Sequence, residues 1–432
     1  MSNVIMRLAA PVLLAGFLLI ACGGQSEDRP VTFMISGAPE ELDAYEELIN
    51  QFNREHPEID VDLIYVASAG EFRERLSTMF SGNRPPDVFL YNYRRLGNYA
   101  ADGAIRPLGD RLDSSAVLDR ADFYPVTLAA FTYEGRLTCI PQNLSSPVIY
   151  YNMGLFDAAG LDYPQAGWTL DEFIATAAAL TVDTDGDGRT DRWGLGTEVE
   201  SIRLAPFLWG SGGDFIDDPE NPTRTTLDEP AEMDAIRWFT DLRLVHGVTP
   251  DLVAESGQSS EDRFLNGSVA MYMDSRVATP ALRTITAFEW DAAPLPIGDQ
   301  LVSERPVAVL HSDGFCMSER AAADELHAES AWTFIEYAVS ETGQIILAGA
   351  GRTVPSMIRV AESPAFLDTA PPANNQVWLD AAATMRALPM IPGWNQFEEM
   401  LSVELQRLYY GDGTLEEFLV KAEALAEPML ER

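Results

Sequence analysis

The first ninety residues alternate short apolar runs with amphipathic segments, and this order restricts the possible fold more than any other feature. Val31–Ile35 is an apolar run typical of a buried strand, and apolar residues at 42, 45, 48, 49 and 52 then occupy one face of a helix. Pro57 ends that helix because proline cannot continue it. A second strand, a second helix and a third strand at Val88–Leu90 follow. This order predicts an α/β lobe in which helices cover a parallel sheet.

The rest of the chain predicts a second lobe without a connecting linker. Strands are expected at Leu137–Pro141 and Pro147–Tyr151, and Thr169 with Glu172 has the spacing of a capping box at a helix start. Further helical patterns are Ala231–His246, Ser260–Leu265, Glu319–Val339, Asn375–Leu388, Trp394–Tyr410 and Leu415–Leu425. A chain of 432 residues is too long for one small core. Two lobes without a linker suggest that the chain crosses between them several times.

The N-terminal segment is typical of a secretion signal. Arg7 precedes the apolar run Leu8–Ile20, which is too short to span a bilayer, since spanning takes about 20 residues. Cys22 follows Leu-Ile-Ala and is similar to the lipobox cysteine of bacterial lipoproteins. We therefore predict a signal peptide over 1–21, lipidation of Cys22, and a tether over 22–30 that holds the protein to a membrane outside the cytoplasm, in the periplasm or on the outer cell surface. An ordinary signal with a chance cysteine is the alternative.

The charge balance argues against several partners. Asp and Glu number 67 against 29 Lys and Arg, which gives a formal net charge of −38. Such a surface repels phosphate backbones and anionic lipids, so nucleic acid is not expected as a partner. The same charge disfavours a strongly anionic ligand. A hydrophobic fraction of 47% is enough to fill folded cores and argues against disorder.

The sequence contains no motif that predicts catalysis. It lacks G-x-S-x-G, H-E-x-x-H, a P-loop and G-x-G-x-x-G, and its four histidines have no metal-ligand spacing. With 67 carboxylates, acid–base pairs arise by chance, so composition alone leaves a carboxylate-pair glycosidase open. We predict a protein that is not an enzyme.

Seven segments, in this order, resemble the extracellular solute-binding proteins of ABC-type sugar importers, the maltose-binding-protein type. They are Asn50–Val61, Pro85–Leu90, Tyr150–Leu161, Trp168–Phe173, Asp183–Gly194, Phe264–Met271 and Ala293–Gly298. Each is a weak pattern alone, but their order extends over nearly the whole chain after Cys22. The resemblance implies two α/β lobes, each a mainly parallel sheet flanked by helices, joined by two or three hinge crossings. It places the N-terminal lobe at 27–143 and 313–356 and the C-terminal lobe at 144–312 and 357–432.

The resemblance also implies a function. A monomeric lipoprotein of this kind would capture a neutral sugar or oligosaccharide between its lobes and deliver it to the permease subunits of an ABC transporter. The alternatives are a lipoprotein that captures ligand for sensing or adhesion, and a non-sugar solute. Ligand binding at the carboxyl ends of strands, between lobes, is also what open α/β sheets favour physically.

Candidate ligand residues are polar or aromatic groups near strand ends, because sugars offer hydroxyls at the ring edge and C–H groups on the ring face. From the first lobe and the crossings they are Ser36, Glu40, Tyr91, Asn92, Asn143 and Asp313; from the second lobe they are Trp209, Gly213, Asp274, Arg276 and Trp394. Each also has a structural interpretation. Trp209 fits a core position, Tyr91 fits the rim, and Arg276 fits an ion pair with a nearby carboxylate.

One acidic loop resembles the opening of a calcium-binding loop. Asp183, Asp185 and Asp187 precede Gly188, and Asp191 stands at the ninth position. The bidentate glutamate expected at the twelfth position is absent, because Gly194 stands there. The sequence therefore leaves open a structural Ca²⁺ and a plain Asx turn, with no other cofactor expected.

Two cysteines remain after Cys22. An oxidising compartment permits a disulfide between Cys139 and Cys316, and two buried free thiols are the alternative. The resemblance places each cysteine on a strand next to a lobe crossing, and these strands run side by side in that fold. It therefore implies that the two residues lie close together within one lobe, where a bond is geometrically allowed.

Overall fold

The computed structural model describes residues 29–298 and 305–431, so the predicted signal peptide, Cys22 and most of the tether lie outside the described residues. In chain order the strands are β1 Val31–Ser36, β2 Val61–Val66, β3 Val88–Asn92, β4 Ile105–Arg106, β5 Thr132–Tyr133, β6 Arg136–Leu137, β7 Cys139–Pro141, β8 Asn143–Leu144, β9 Val148–Asn152, β10 Trp193–Thr197, β11 Val269–Asp274, β12 Trp290–Ala293, β13 Ala308–Val309, β14 Asp313–Ser318, β15 Val354–Pro355 and β16 Met385–Arg386.

Helices fill most of the intervening chain. They are α1 Pro39–Glu55, α2 Ala69–Ser81, α3 Gly97–Ala101, α4 Gly109–Ser114, α5 Pro125–Ala130, α6 Met153–Ala159, α7 Leu170–Leu180, α8 Ser201–Gly210, α9 Pro230–Leu244, α10 Leu252–Gly257, α11 Ser260–Leu265, α12 Thr279–Leu282, α13 Glu325–Val339, α14 Glu341–Gly349, α15 Ile358–Ala361, α16 Pro364–Leu367, α17 Gln376–Ala382, α18 Trp394–Tyr409 and α19 Leu415–Leu430. None of them is long and apolar enough to cross a bilayer.

The first sheet has the order β2-β1-β3-β14-β4, with β7 also paired to β14. Its strands β2, β1 and β3 are parallel, as predicted, and α1 covers them with buried Tyr45, Leu48 and Phe52. The sheet as a whole is mixed, because β14 returns from the second lobe and pairs antiparallel to β3, β4 and β7. The two-lobe α/β fold is thus confirmed, while the expectation of a mainly parallel sheet holds only for its first three strands.

The second sheet has the order β10-β11-β9-β12. Only β10 and β11 are parallel, and β9 is antiparallel to both of its neighbours, so this sheet is also mixed. No sequence pattern predicts this, because a buried strand is an apolar run whether its neighbours are parallel or antiparallel to it. Helices α8, α9, α18 and α19 pack around this lobe's core.

Three chain segments meet between the lobes. Strand β8 pairs antiparallel with β15, and Ser145 exchanges two backbone hydrogen bonds of 2.8 Å with His311. Asp313 then begins β14 in the first sheet. The crossings therefore form a small hydrogen-bonded layer, which is the hinge of the molecule.

The predicted proximity of the two cysteines is confirmed. Cys139 and Cys316 are direct neighbours on β7 and β14 and form a disulfide with an α-carbon separation of 4.4 Å. The bond lies inside the first sheet, three residues before Gln142 and three after Asp313. It therefore links the two strands that lead into and out of the hinge.

Most helix predictions are confirmed, and two need correction. The capping box of Thr169 and Glu172 forms at the start of α7, and α18 nearly matches its predicted range. The helix predicted over 375–388 is shorter, since α17 ends at Ala382 and the chain then forms β16 beside β13. The helix predicted from Glu319 begins only at Glu325, where Asp324 caps its first turn.

Candidate functional site

A cleft of about 510 Å³ lies between the lobes, within the range of about 300–1,000 Å³ typical of small-molecule sites. It opens at the carboxyl ends of β1 and β3, next to the hinge. Five of the predicted ligand residues line it: Ser36, Tyr91, Asn92, Asn143 and Asp313. Ligand contact by these residues stays a prediction, but their position around one cavity is what such contact requires.

The turn after β1 forms one wall of the cleft. A β-carbon at Gly37 would lie 2.2 Å from a carboxylate oxygen of Glu41, so glycine here lets that side chain fold back over the turn. The Glu41 carboxylate accepts a hydrogen bond of 3.0 Å from the Ala38 backbone N–H and pairs with Arg352 at 2.9 Å. Glu40, the residue predicted from sequence, lies in the first turn of α1, and its neighbour Glu41 lines the cleft.

The end of β3 supplies an aromatic ring. Tyr91 packs against Phe72 and Tyr99, with ring centroids 5.8 and 6.1 Å away. Burial raises the pKa of its hydroxyl, so the phenol stays protonated and can donate a hydrogen bond. Asn92 uses its side-chain oxygen to accept from the Arg94 backbone N–H at 3.3 Å. The chain thus presents a mainly apolar ring and a polar group side by side.

The hinge contributes an interlocked pair of polar side chains. The Asn143 side-chain oxygen accepts from the Asp313 backbone N–H at 2.9 Å, and its amide nitrogen faces Asp313 Oδ2 at 3.4 Å. Ser145 and His311 extend this polar strip along the cleft. Because these residues belong to the crossings, a ligand bound here would contact the segments that join the two lobes.

The wall from the second lobe is formed by Arg203, Ser275 and Val277. The Arg203 guanidinium pairs with Asp274 and with Glu198, the latter at 2.8 Å. Burial would lower the pKa of Arg203, but the neighbouring carboxylates, first that of Asp274, raise it above the ordinary value. The arginine is therefore a fixed cation at the base of the cleft.

Asp274 supports this wall from behind rather than lining it. It is buried, and it accepts hydrogen bonds from the Tyr272 hydroxyl at 2.9 Å and from the Ser275 backbone N–H at 2.6 Å. The prediction that Asp274 faces the ligand is therefore corrected, because its carboxylate is occupied by the groups that hold Arg203.

The two predicted ligand tryptophans lie in the core of the second lobe. Trp394 is 1% exposed, packs on Phe215 and Phe397, and donates from Nε1 to Glu398 at 3.2 Å. Trp209 is 2% exposed and donates to Asp214 at 2.9 Å. Neither ring lines the cleft, so the prediction that they stack on ligand is wrong.

Arg276 and Gly213 are also structural. Arg276 is fully buried, donates to Asn375 at 2.5 Å and lies over the rings of Phe366 and Trp378 at 4.4 and 4.7 Å. Burial lowers the pKa of Arg276 to about 9. Its side chain joins the hinge side of the second lobe to residues 366–378. A β-carbon at Gly213 would lie 2.7 Å from the Glu232 side chain, so this glycine serves packing.

The acidic loop brings three carboxylates together. Oxygens of Asp183, Asp185 and Asp187 lie within 4.8 Å of one another, and all three residues are exposed. Asp183 already accepts from the backbone N–H groups of Gly188 and Gly186, and these bonds lower its pKa. Asp191 turns instead to Thr184, whose backbone N–H it binds at 2.7 Å. Asp191, the predicted fourth calcium ligand, is therefore occupied by a hydrogen bond within the turn.

Sequence reasoning missed several cleft residues. Arg203 and His311 lie far from the motifs and 108 positions apart, and only the fold brings them to one cavity. A signal for Arg203 existed, since it is the only charged residue within the ten residues of α8. Arg352 and Glu41 carried no comparable signal, because charged residues are common on exposed helix and loop positions.

Comparison with known proteins agrees with this geometry. A family model described as bacterial extracellular solute-binding protein matches residues 38–345. An ABC substrate-binding protein from Listeria monocytogenes, solved in complex with cycloalternan, is 24% identical with a TM-score of 0.82 over 93% of this chain and 98% of that one. The sugar-binding protein MalE from Xanthomonas citri is 19% identical with a TM-score of 0.79 over 93% and 98%.

Another relative is named for a ligand that is not a sugar. The sn-glycerol-3-phosphate-binding periplasmic protein UgpB of Pectobacterium atrosepticum is 24% identical over 293 residues, which cover 65% of this chain and 63% of that protein. The family model, by contrast, covers well over half of the chain. The chain therefore belongs to the bacterial extracellular solute-binding proteins.

Proposed function

We propose that the protein captures a neutral carbohydrate between its lobes and delivers it to an ABC transporter. The observation that carries this proposal is the interlobe cleft, in which the Tyr91 ring stands beside Asn143, Asp313 and the Ser36 turn. An aromatic ring suits the C–H face of a sugar, and planar polar groups suit its hydroxyls. The sugar-binding and cycloalternan-bound relatives support the same ligand class. The family is one of binding proteins, and we propose binding without catalysis.

An anionic solute is the competing candidate, because four arginines line the cleft and one relative is named for sn-glycerol 3-phosphate. Three of the four are neutralised by carboxylates: Arg203 by Asp274 and Glu198, Arg95 by Glu399, and Arg352 by Glu41. Only Arg73, on α2, has no carboxylate at ion-pair distance among residues 29–298 and 305–431. The balance of charge therefore favours a neutral ligand.

A thermal-shift screen distinguishes these candidates. The panel pairs neutral mono- and oligosaccharides, cycloalternan included, with sn-glycerol 3-phosphate and glycerophosphocholine. A ligand at one hundred times its Kd should stabilise the protein by about 2.7 kcal/mol, which gives a clear rise in Tm. We expect the rise from a neutral sugar. A response to the glycerophosphates alone would refute the carbohydrate assignment.

We also propose that lipidated Cys22 holds the protein, as a monomer, near its permease outside the cytoplasm. The lipid would serve tethering alone, so Cys22→Ser should give a folded, sugar-binding protein that moves from the membrane fraction to the soluble fraction. Mass spectrometry of the wild-type N-terminus checks the anchor directly, and an unmodified Cys22 would contradict it. Sensing or adhesion would remain possible uses of the same captured ligand, and loss of sugar uptake in a deletion strain separates import from both.

For the 183–191 loop we propose a turn that needs no metal. Asp183 bonds two backbone N–H groups, Asp191 bonds Thr184, and the bidentate ligand expected at position twelve is replaced by Gly194. Calorimetric titration with CaCl₂ should give no saturable heat in the micromolar range. Saturable binding that disappears in Asp183→Asn would establish a calcium site instead.

A further inference from the structure

The guanidinium of Arg203 has hydrogen-bond donors that nothing in the described protein uses. Its Nη2 serves Asp274 and Glu198, but Nε and Nη1 are buried without a partner among residues 29–298 and 305–431. The residue is 4% exposed and lines the cleft. Leaving a buried donor unpaired destabilises a protein, and native proteins therefore pair nearly all such groups.

The charge around Arg203 defines what that partner can be. Two carboxylates already neutralise the guanidinium, and the nearby Glu200 carboxylate, like them, raises the pKa of Arg203. An anion placed here would gain little from an arginine that is already paired and would be repelled by the surrounding carboxylates. An uncharged oxygen accepts from the free N–H groups without that repulsion.

His311 lines the same cleft and also has a buried nitrogen, Nε2, without a hydrogen-bond partner in the described residues. Burial, with the positive charges of Arg203 and Arg94, lowers the pKa of His311 well below its usual value, so the ring is neutral at physiological pH. A neutral imidazole offers one donor and one acceptor, which matches a hydroxyl group.

We propose that Arg203 and His311 together recognise the hydroxyl and ring oxygens of a neutral sugar and determine the specificity of the cleft against anionic solutes. The proposal rests on the proposed function and names the residues that would select its ligand. These atoms are enclosed in the present structure, and His311 is bonded to Ser145 in the hinge, so sugar recognition by them requires the lobes to rearrange as the ligand binds. Neither residue belongs to the motifs from which the family resemblance was drawn.

The experiment compares affinities of matched probes by calorimetry. Glucose and maltose are paired with glucose 6-phosphate and glucuronate, and the neutral sugar with the largest thermal shift in the wider panel is added. Arg203→Lys keeps a cation beside Asp274 but removes the Nε and Nη1 donors. His311→Phe keeps a ring and removes both nitrogens, while the backbone bonds to Ser145 remain. His246→Phe makes the same change at an exposed position and is the matched control.

The expected result is that the neutral probe binds the wild type, that each cleft variant weakens its binding at least tenfold, and that His246→Phe leaves it unchanged. Deoxy analogues on the wild type give an independent measurement: removing the recognised hydroxyl should cost a similar factor, and that loss should vanish in Arg203→Lys. Wild-type affinity in both folded variants would overturn the inference while sugar binding stands. Binding of only the anionic probes would overturn the inference as well, and failure of every sugar would overturn the proposed function itself.

Discussion

Replacing Trp394 by alanine should lower the free energy of unfolding by about 3–5 kcal/mol, the range for truncating a buried large aromatic side chain. The ring is 1% exposed and is held between Phe215 and Phe397 at the start of α18. Its removal leaves a cavity and an unpaired Glu398 oxygen that had accepted the Nε1 hydrogen bond. Urea denaturation followed by circular dichroism measures the loss.

Trp394→Phe is the control for this prediction, because it keeps most of the ring packing and removes mainly the bond to Glu398. It should lose clearly less stability than the alanine variant. A Trp394→Ala protein that unfolds like the wild type but binds sugar weakly would place the ring at the cleft. That result would restore the role that the sequence pattern alone predicts for this residue.

Removing the disulfide should have the second large effect. Cys139 and Cys316 are 177 positions apart, and a chain-entropy model assigns about 5 kcal/mol to a loop of that size, against about 2–5 kcal/mol measured for native disulfides. The double variant Cys139→Ala/Cys316→Ala should therefore lose stability within this range. Alanine is chosen because both positions are fully buried and serine would add a buried hydroxyl.

Reductant provides the internal control for the disulfide. Treatment with reductant should lower the stability of the wild type toward that of the double variant, because the disulfide no longer cross-links the unfolded chain. The same treatment should leave the stability of the double variant unchanged. Free thiols in the purified protein, found by mass spectrometry under denaturing conditions, would contradict the bond. Equal stability of wild type and double variant would contradict its proposed contribution.

The first lobe could be predicted from the sequence because its signals are local. Val31–Ile35 forms β1, the helical spacing from Leu42 to Phe52 lies within α1, and the run ending at Leu90 begins β3. Each of these depends on apolar periodicity within a few residues. The direction of β14 and β9 depends instead on where the chain returns from the other lobe, which no local pattern records.

The candidate site was predictable only in part, for a related reason. Ser36, Tyr91 and Asn92 lie at the carboxyl ends of first-sheet strands, and Asn143 and Asp313 lie at crossings, so strand order was enough to place them at the cleft. Trp394 begins α18 directly after a turn and Trp209 lies near the end of α8 directly before one, but both helices direct these rings inward. An aromatic residue after a turn looks the same in sequence whether it faces a ligand or a core. Arg203 and His311 required the tertiary fold to be recognised at all.

A crystal structure with the neutral sugar that gives the largest thermal shift would locate the ligand directly. We predict electron density for the sugar between the lobes, with its face against Tyr91 and its hydroxyls bonded to Asn143, Asp313 and Arg203. Two other cavities offer a clear contrast: one of about 660 Å³ beside α19 and one of about 550 Å³ beside Arg305. Sugar bound at either of these, with the interlobe cleft filled only by water, would contradict binding between the lobes.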